Sequence, residues 1–94
     1  MDYRKFENQY VIRLDRGEEI VASLKTIAEK ENIKLAYLTG IGAVGRVTAG
    51  VFDTKEKVFK GRRWEGDLEV VSIGGNINTM NGETYIHFHI SVAD

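Results

Sequence analysis

The dipeptide Asn81-Gly82 constrains the fold of this chain more than any other short feature of its sequence. Both central residues of a type I′ turn need a positive φ angle, which Asn and Gly adopt readily. Residues 84–92 follow almost at once and place His87 and His89 on one face and apolar residues on the other, as a half-covered strand does. The sequence therefore predicts that the chain reverses at 81–82 and closes with an antiparallel strand.

The amino-terminal third of the chain predicts one strand followed by one helix. Side chains of alternating character over residues 6–14 indicate the strand. Apolar residues then recur at helical spacing, at Ile20, Leu24, Ile27 and Ala28. Asp15 precedes Glu18 by three residues, close to a capping box, so we expect Asp15 to cap a helix over residues 18–30. Asn32 is a suitable left-handed stop after this helix.

The middle of the chain is typical of short strands separated by glycine-marked turns. The expected strands cover residues 35–38, 47–52, a return strand within 55–60, and 68–73. With one helix and six or so strands, the sequence predicts an α+β fold in which a mostly antiparallel sheet packs against one main helix. A chain of 94 residues has the size of one domain, so we expect residues 1–94 to form a single domain.

The composition excludes several classes of function. Thirteen Lys and Arg against fourteen Asp and Glu give a net charge of −1, so charge alone would not hold a polyanion. The absence of Cys excludes disulfides, a thiol nucleophile and Cys-ligated metal sites. The sequence has neither an apolar stretch long enough to span a membrane nor the apolar core of a signal peptide, so we expect a cytoplasmic protein without a membrane partner.

Residues 40–45, Gly-Ile-Gly-Ala-Val-Gly, match the spacing of the dinucleotide-binding fingerprint. That fingerprint needs a helix amino terminus directly after the glycines, to present free N–H groups to the pyrophosphate. Residues 46–53 alternate as a strand instead. We therefore interpret Gly40 and Gly42 as part of a bend that lets two backbones approach closely.

His87 and His89 are the sharpest candidates for chemistry. Two residues apart in a strand, they project to one face about 6.5 to 7 Å apart, a spacing that two ligands of one metal ion can close. A catalytic zinc site needs three protein ligands, so the third would come from a carboxylate such as Glu69 or Glu83, from another strand or from a neighbouring subunit. The alternative is a pair of surface or pocket histidines that holds no metal. A divalent ion such as zinc is the cofactor to test.

A basic segment is a weak candidate for contacts with nucleic acid. Its cations are Lys55, Lys57, Lys60, Arg62 and Arg63. With Glu56 they give a net charge of +4 within nine residues, and Trp64 follows. Because Glu65, Asp67 and Glu69 come directly afterwards, a solvated hairpin of balanced charge is the favoured interpretation.

Motifs along the whole chain resemble the PPC domain, the plants and prokaryotes conserved domain. They comprise residues 41–44 continuing through 50–53, then 69–77, then 87–94, and the opening 14–18 also fits. The resemblance implies an α/β domain that assembles as a homotrimer, behind AT-hook segments in plant nuclear proteins and as a stand-alone chain in bacteria and archaea. Within or beside these motifs, the candidate ligand-binding or structural positions are Gly40, Gly42, Asp53, Glu69, Gly75 and Asn76.

Two departures from the PPC pattern bear on function. Similar proteins run some tens of residues further, through a Gly-Gly-His segment, so we expect a fragment or an unusually short member. In some prokaryotic relatives the His-x-His pair and that later histidine look arranged to hold a metal; here His87 and His89 match and the later histidine is absent. The AT-hook is also absent, and the family's DNA-binding label belongs to that hook, so DNA binding does not carry over.

We therefore expect a non-enzymatic homotrimeric module whose self-association and surface contacts are its activity. A short sheet leaves backbone groups at its edges that another chain can satisfy. The alternative is a metal-dependent small-molecule-binding protein or enzyme that uses His87 and His89, with Glu69 or Glu83 as a ligand or base. A third hypothesis is a DNA-associated regulator that uses residues 55–63 of each subunit. Substrate and partner are not specified by the sequence.

Overall fold

The computed structural model describes residues 1–94 and contains one helix and five strands. The elements in chain order are β1 (Asp2–Phe6), β2 (Gln9–Arg13), α1 (Ile20–Lys30), β3 (Ala36–Asp53), β4 (Val58–Met80) and β5 (Glu83–Ala93). β1 and β2 form a two-stranded sheet, and the other three form a sheet in the order β3-β4-β5. The predicted α+β class, a mostly antiparallel sheet with one helix, is confirmed, with five strands in place of about six.

The chain forms two compact units, each built from two segments. Met1–Tyr37 and Gly75–His87 make the first unit, and Leu38–Gly74 and Phe88–Asp94 make the second. That residues 1–94 form a single domain stays a prediction. No helix in the chain is both long enough and apolar enough to cross a membrane.

An antiparallel hairpin opens the first unit, where the sequence predicted a single strand over residues 6–14. Asp2 pairs with Arg13 and Phe6 pairs with Gln9, so β1 and β2 are in register along their whole length. The chain reverses next to Glu7, whose φ is 57°. A glutamate in the left-handed region is not a residue that a turn prediction would select, which is why β1 was missed.

The helix α1 begins later than predicted, and Asp15 does not cap it. Glu19 is the amino-terminal cap, and its carboxylate accepts a hydrogen bond from the Ala22 N–H. The segment that resembled a capping box forms a separate turn, in which the Glu18 N–H donates to the Asp15 carbonyl at 3.1 Å. The Asp15 N–H in turn donates to Glu18 Oε2 at 2.7 Å. The reciprocal bonding therefore closes a loop before the helix.

The end of α1 confirms the prediction for Asn32, whose φ is 56°. The Ile33 N–H donates to the Ala28 carbonyl at 2.8 Å, and the Asn32 N–H donates to the Glu29 carbonyl at 3.3 Å. These two bonds define a Schellman motif, which satisfies carbonyls that the helix leaves without partners. Ala28 and its neighbour Ile27 are buried.

Two long strands replace the four short strands predicted in the middle of the chain. β3 begins at Ala36, one residue later than expected, and continues without a break through both expected strands, 35–38 and 47–52. β4 likewise joins the expected return strand to the expected strand over residues 68–73. The prediction of a glycine bend at residues 40–45 was wrong, because β3 runs through these residues and glycine also fits an extended strand. A Cβ on Gly40 would meet only the Ile73 side chain at an ordinary 3.7 Å, and one on Gly42 would meet nothing.

The hairpin between β4 and β5 has the predicted turn. Asn81 and Gly82 both have positive φ, at 53° and 80°. Along β5 the burial alternates as expected. The apolar set Ile86, Phe88, Ile90 and Val92 is half-buried, and the set Tyr85, His87, His89 and Ser91 is exposed. The turn-forming residues Asn81 and Gly82 and the alternation of apolar and polar residues along β5 therefore determine this hairpin.

Candidate functional site

The tip of the β3-β4 hairpin lies in the second unit and is the most exposed part of the chain. We call residues 51–67 the arm. Every residue of the arm is exposed except Asp53, which is half-buried. The arm contains all five cations of the predicted basic segment together with Val51, Phe52, Val58, Phe59 and Trp64. Such a combination of charge and apolar surface is typical of a binding surface.

Asp53 organises the turn of the arm. Its Oδ1 accepts hydrogen bonds from the Lys55 N–H at 2.8 Å and from the Glu56 N–H at 3.0 Å. Lys60 Nζ lies 3.3 Å from Asp53 Oδ2 and 3.2 Å from Glu56 Oε2. The N–H groups of Glu56 and Lys55, followed by the Lys60 ammonium, lower the pKa of Asp53 below its ordinary value. The predicted site residue Asp53 thus holds the turn in its ionised form.

A close approach of two backbones holds the strands of the arm together at its base. A Cβ on Gly50 would overlap the Lys60 carbonyl oxygen and would lie 2.7 Å from Gly61 Cα. A Cβ on Gly61 would lie 2.8 Å from Cε1 of the Phe59 ring. At position 50 only glycine leaves room for the neighbouring backbone, so the close approach expected at Gly40 and Gly42 occurs at Gly50 instead.

The structure divides the five cations into two groups. Lys60 is paired with acidic side chains of the turn, and Arg63 Nη2 lies 2.7 Å from Glu65 Oε1. Arg62 Cζ lies 5.2 Å from the centre of the Trp64 ring, in a cation–π arrangement. Three cations, Lys55, Lys57 and Arg62, make no ion pair within the chain. The expected solvated hairpin is present, and its charge is only partly balanced.

Two aromatic residues of the arm, Phe52 and Phe59, were not among the residues predicted for the basic segment, whose only named aromatic neighbour was Trp64. Both phenylalanines are more than half exposed. Trp64 lies at an alternate position to Arg62 in β4, which places both side chains on one face. The spacing of two residues between Arg62 and Trp64 was the sequence signal that could have predicted their contact.

His87 and His89 occupy alternate, exposed positions of β5. No group of three His, Cys, Asp or Glu side chains in the chain is arranged to hold a metal ion. Neither Glu69 nor Glu83 therefore completes a three-ligand site with the histidines. Glu69 is exposed on β4, and Glu83 lines a depression of about 320 Å³ beside the end of α1. The chain by itself therefore does not form a three-ligand metal site, and a metal role for His87 and His89 stays a prediction.

The remaining predicted positions lie along β3 and β4. Gly40 and Gly42 are in β3, and Gly75 and Asn76 are in β4, where Asn76 Oδ1 accepts a hydrogen bond from Asn78 Nδ2 at 2.9 Å. Two depressions, of about 320 and 420 Å³, flank the segment after α1, and none of these four residues lines either of them. A ligand-binding or structural role for these four residues stays a prediction.

Comparisons with known proteins agree with the motif resemblance. The family model of the Plants and Prokaryotes Conserved (PCC) domain matches residues 1–94. A "putative DNA binding protein" from Bacteroides thetaiotaomicron is 32% identical, with a TM-score of 0.92 over 97% of this chain and 64% of that chain. A protein of the same description from Ralstonia eutropha is 29% identical, with a TM-score of 0.92 over 98% of this chain and 63% of that chain.

A metal-containing protein from Archaeoglobus fulgidus is also similar, at 26% identity and a TM-score of 0.83 over 88% of this chain and 59% of that chain. No curated protein sequence matches the chain. The chain spans less than two thirds of the length of each of the three solved structures. What those proteins bind is therefore a property of longer chains.

Proposed function

Because the chain belongs to the Plants and Prokaryotes Conserved (PCC) domain family, we propose that it is a non-enzymatic assembly and binding module that works as a homotrimer. One observation carries the assembly: only Ile27, Ala28, Val70 and Ile77 are buried in the single chain. A folded domain of this size buries more apolar surface than four residues provide. Association with further copies would supply the missing burial.

Apolar side chains available for this association occur in both units. In the first unit, Leu35 and Tyr37 are 79% and 78% exposed. In the second unit, Ile41 is 84% exposed and Val71 is more than half exposed. Covering one Leu or Ile side chain contributes about 1.5–3 kcal/mol, so several such residues together can offset the loss of translational and rotational freedom on association. We assign these positions to contacts with a second copy, and the number three follows the motif resemblance.

Light scattering coupled to size-exclusion chromatography tests the assembly. Three chains of 10.6 kDa give a trimer of about 32 kDa, which we expect at tens of micromolar protein. Because association supplies burial that the single chain lacks, dilution should dissociate the trimer and lower the temperature at which the chain unfolds. A mass of one chain at all concentrations would overturn the proposal.

A second candidate function is metal-dependent binding. It is favoured by the alternate, exposed positions of His87 and His89 and by the similarity to a metal-containing protein. Because the chain provides two ligands, a complete site would need water or a residue from a second copy. Calorimetric titration with zinc chloride tests this function. Saturable binding that His89→Ala abolishes and Glu83→Gln leaves unchanged would support it, and equal heats for all three proteins would refute it.

A further inference from the structure

We propose that the arm binds single-stranded nucleic acid by stacking unpaired bases on its exposed aromatic rings. This inference rests on the proposed function and names a partner for that binding module, at residues other than those assigned to self-association. It starts from the exposed aromatic residues of one cationic hairpin. Trp64 is 38% exposed on the face of β4 that carries Lys60 and Arg62, and Phe59, which is more than half exposed, lies on the opposite face. Aromatic rings interleaved with cations are what a sequence-tolerant single-strand site requires.

The geometry around Trp64 fits this role. Lys60, Arg62 and Trp64 alternate along β4 and so share one face of the arm. The Arg62 guanidinium lies 5.2 Å from the centre of the indole ring. Arg62 makes no ion pair, so its charge, which lies over one face of the ring, remains available to a phosphate. A base stacked next to this pair would have its backbone within reach of a cation.

The arm is also held in one conformation before any ligand binds. Asp53 accepts two backbone hydrogen bonds across the turn and pairs with Lys60. At the base, Gly50 allows the direct approach of the Lys60 and Gly61 backbone. A preformed hairpin loses little conformational entropy on binding, so most of the stacking free energy would appear as affinity.

The charge of the arm favours a single strand over a duplex. A duplex hides the faces of its bases and offers mainly phosphates, and the arm has only Lys55, Lys57 and Arg62 without ion pairs. Three phosphate contacts are too few to hold a duplex at physiological salt on a chain with a net charge of −1. A single strand presents base faces and phosphates together. An acidic peptide would satisfy the cations but would leave the rings without a partner.

Trp64 is the only tryptophan, so its fluorescence reports directly on the arm. We expect a short oligothymidylate to quench this fluorescence, and we expect a duplex of the same length and poly-glutamate to leave it unchanged at physiological salt. With three phosphate contacts, the logarithm of the binding constant should fall with the logarithm of salt concentration with a slope of about −2. Absence of quenching by the oligothymidylate at low salt, or equal affinity for duplex or poly-glutamate, would overturn the proposal.

Variants separate stacking from general charge. By fluorescence anisotropy of a labelled oligothymidylate, Trp64→Ala should weaken binding about fivefold or more. Arg62→Ala should also weaken it, whereas Arg4→Ala, which removes an exposed cation of β1 in the first unit, should change it less than about twofold. Equal losses for Arg62→Ala and Arg4→Ala would refute a defined site. Light scattering on the same samples reports self-association separately, and loss of trimer mass in Trp64→Ala would instead place the arm at a subunit contact and refute the proposal.

Discussion

Lys60 Nζ lies 3.3 Å from Asp53 Oδ2, across the turn that joins β3 to β4. The same ammonium lies 3.2 Å from Glu56 Oε2, so one lysine connects the end of β3 to the turn itself. The two backbone N–H groups that donate to Asp53 and this ammonium all stabilise the ionised form of its carboxyl group. The most exposed region of the chain is therefore held by electrostatic contacts around one carboxylate.

Stability should depend on pH through Asp53. Because its pKa in the folded chain is below the ordinary value, its stabilisation is complete above the unfolded pKa of about 3.9 and is lost as pH falls through the folded value. Asp53→Asn should lower the free energy of unfolding at pH 7, and the difference from wild type should shrink as pH falls below 4. Urea denaturation at several pH values measures this. Asp67→Asn is the control at an exposed position, and a gap between Asp53→Asn and wild type that is independent of pH would contradict the role of Asp53.

Gly50→Ala should destabilise the arm. The new Cβ would overlap the Lys60 carbonyl oxygen, a backbone atom that cannot move aside without displacing β4. We expect a loss of about 1–3 kcal/mol in the free energy of unfolding. Gly45→Ala is the matched control in β3, because a Cβ there meets nothing within 4 Å, and it should stay within about 1 kcal/mol of wild type. Equal stability of the two variants would show that the strands can separate at Gly50.

The end of α1 gives a prediction about backbone conformation. Asn32 has a φ of 56°, so Asn32→Ala should cost about 1 kcal/mol of stability, since alanine is disfavoured in the left-handed region. Asn32→Gly should retain the stability of wild type or exceed it slightly, because glycine carries no Cβ. Thermal unfolding of the two variants decides this. If Asn32→Ala proves the more stable of the pair, the Schellman motif does not control the end of the helix.

The sequence predicted those parts of the fold that depend on local chemistry. The positive φ angles predicted for Asn32 and for Asn81-Gly82 were correct, because the type of residue at each position favours that conformation. Besides the unexpected turn at Glu7, β1 was missed because Asp2–Phe6 is mostly charged and polar, and its stability comes from pairing with β2 rather than from its own pattern. The strand breaks within β3 were wrong because glycine suits a bend and an extended strand equally.

The candidate site was predicted as a set of residues but not as a pattern of contacts. The spacing of two between Arg63 and Glu65, and between Arg62 and Trp64, becomes informative only once β4 is known to be continuous. The pairing of Lys60 with Asp53 crosses a turn and follows from no periodicity. Because the sequence does not show these ion pairs, it offered five equivalent cations in the arm. In the structure, three of the five make no ion pair.

Ile41→Asp should prevent self-association. The Ile41 side chain is 84% exposed in the single chain, so it contributes little to folding and is available to a second copy. A carboxylate at a buried contact without a partner costs roughly 3 kcal/mol, which weakens association about 100-fold. We expect the light-scattering mass to fall toward 10.6 kDa, and thermal unfolding followed by circular dichroism to occur at a lower temperature, because association supplies burial that the single chain lacks. Thr48→Asp places the same charge at another exposed position of β3 and should leave the mass unchanged. If Ile41→Asp keeps the wild-type mass at all concentrations, the contact between copies excludes this part of β3.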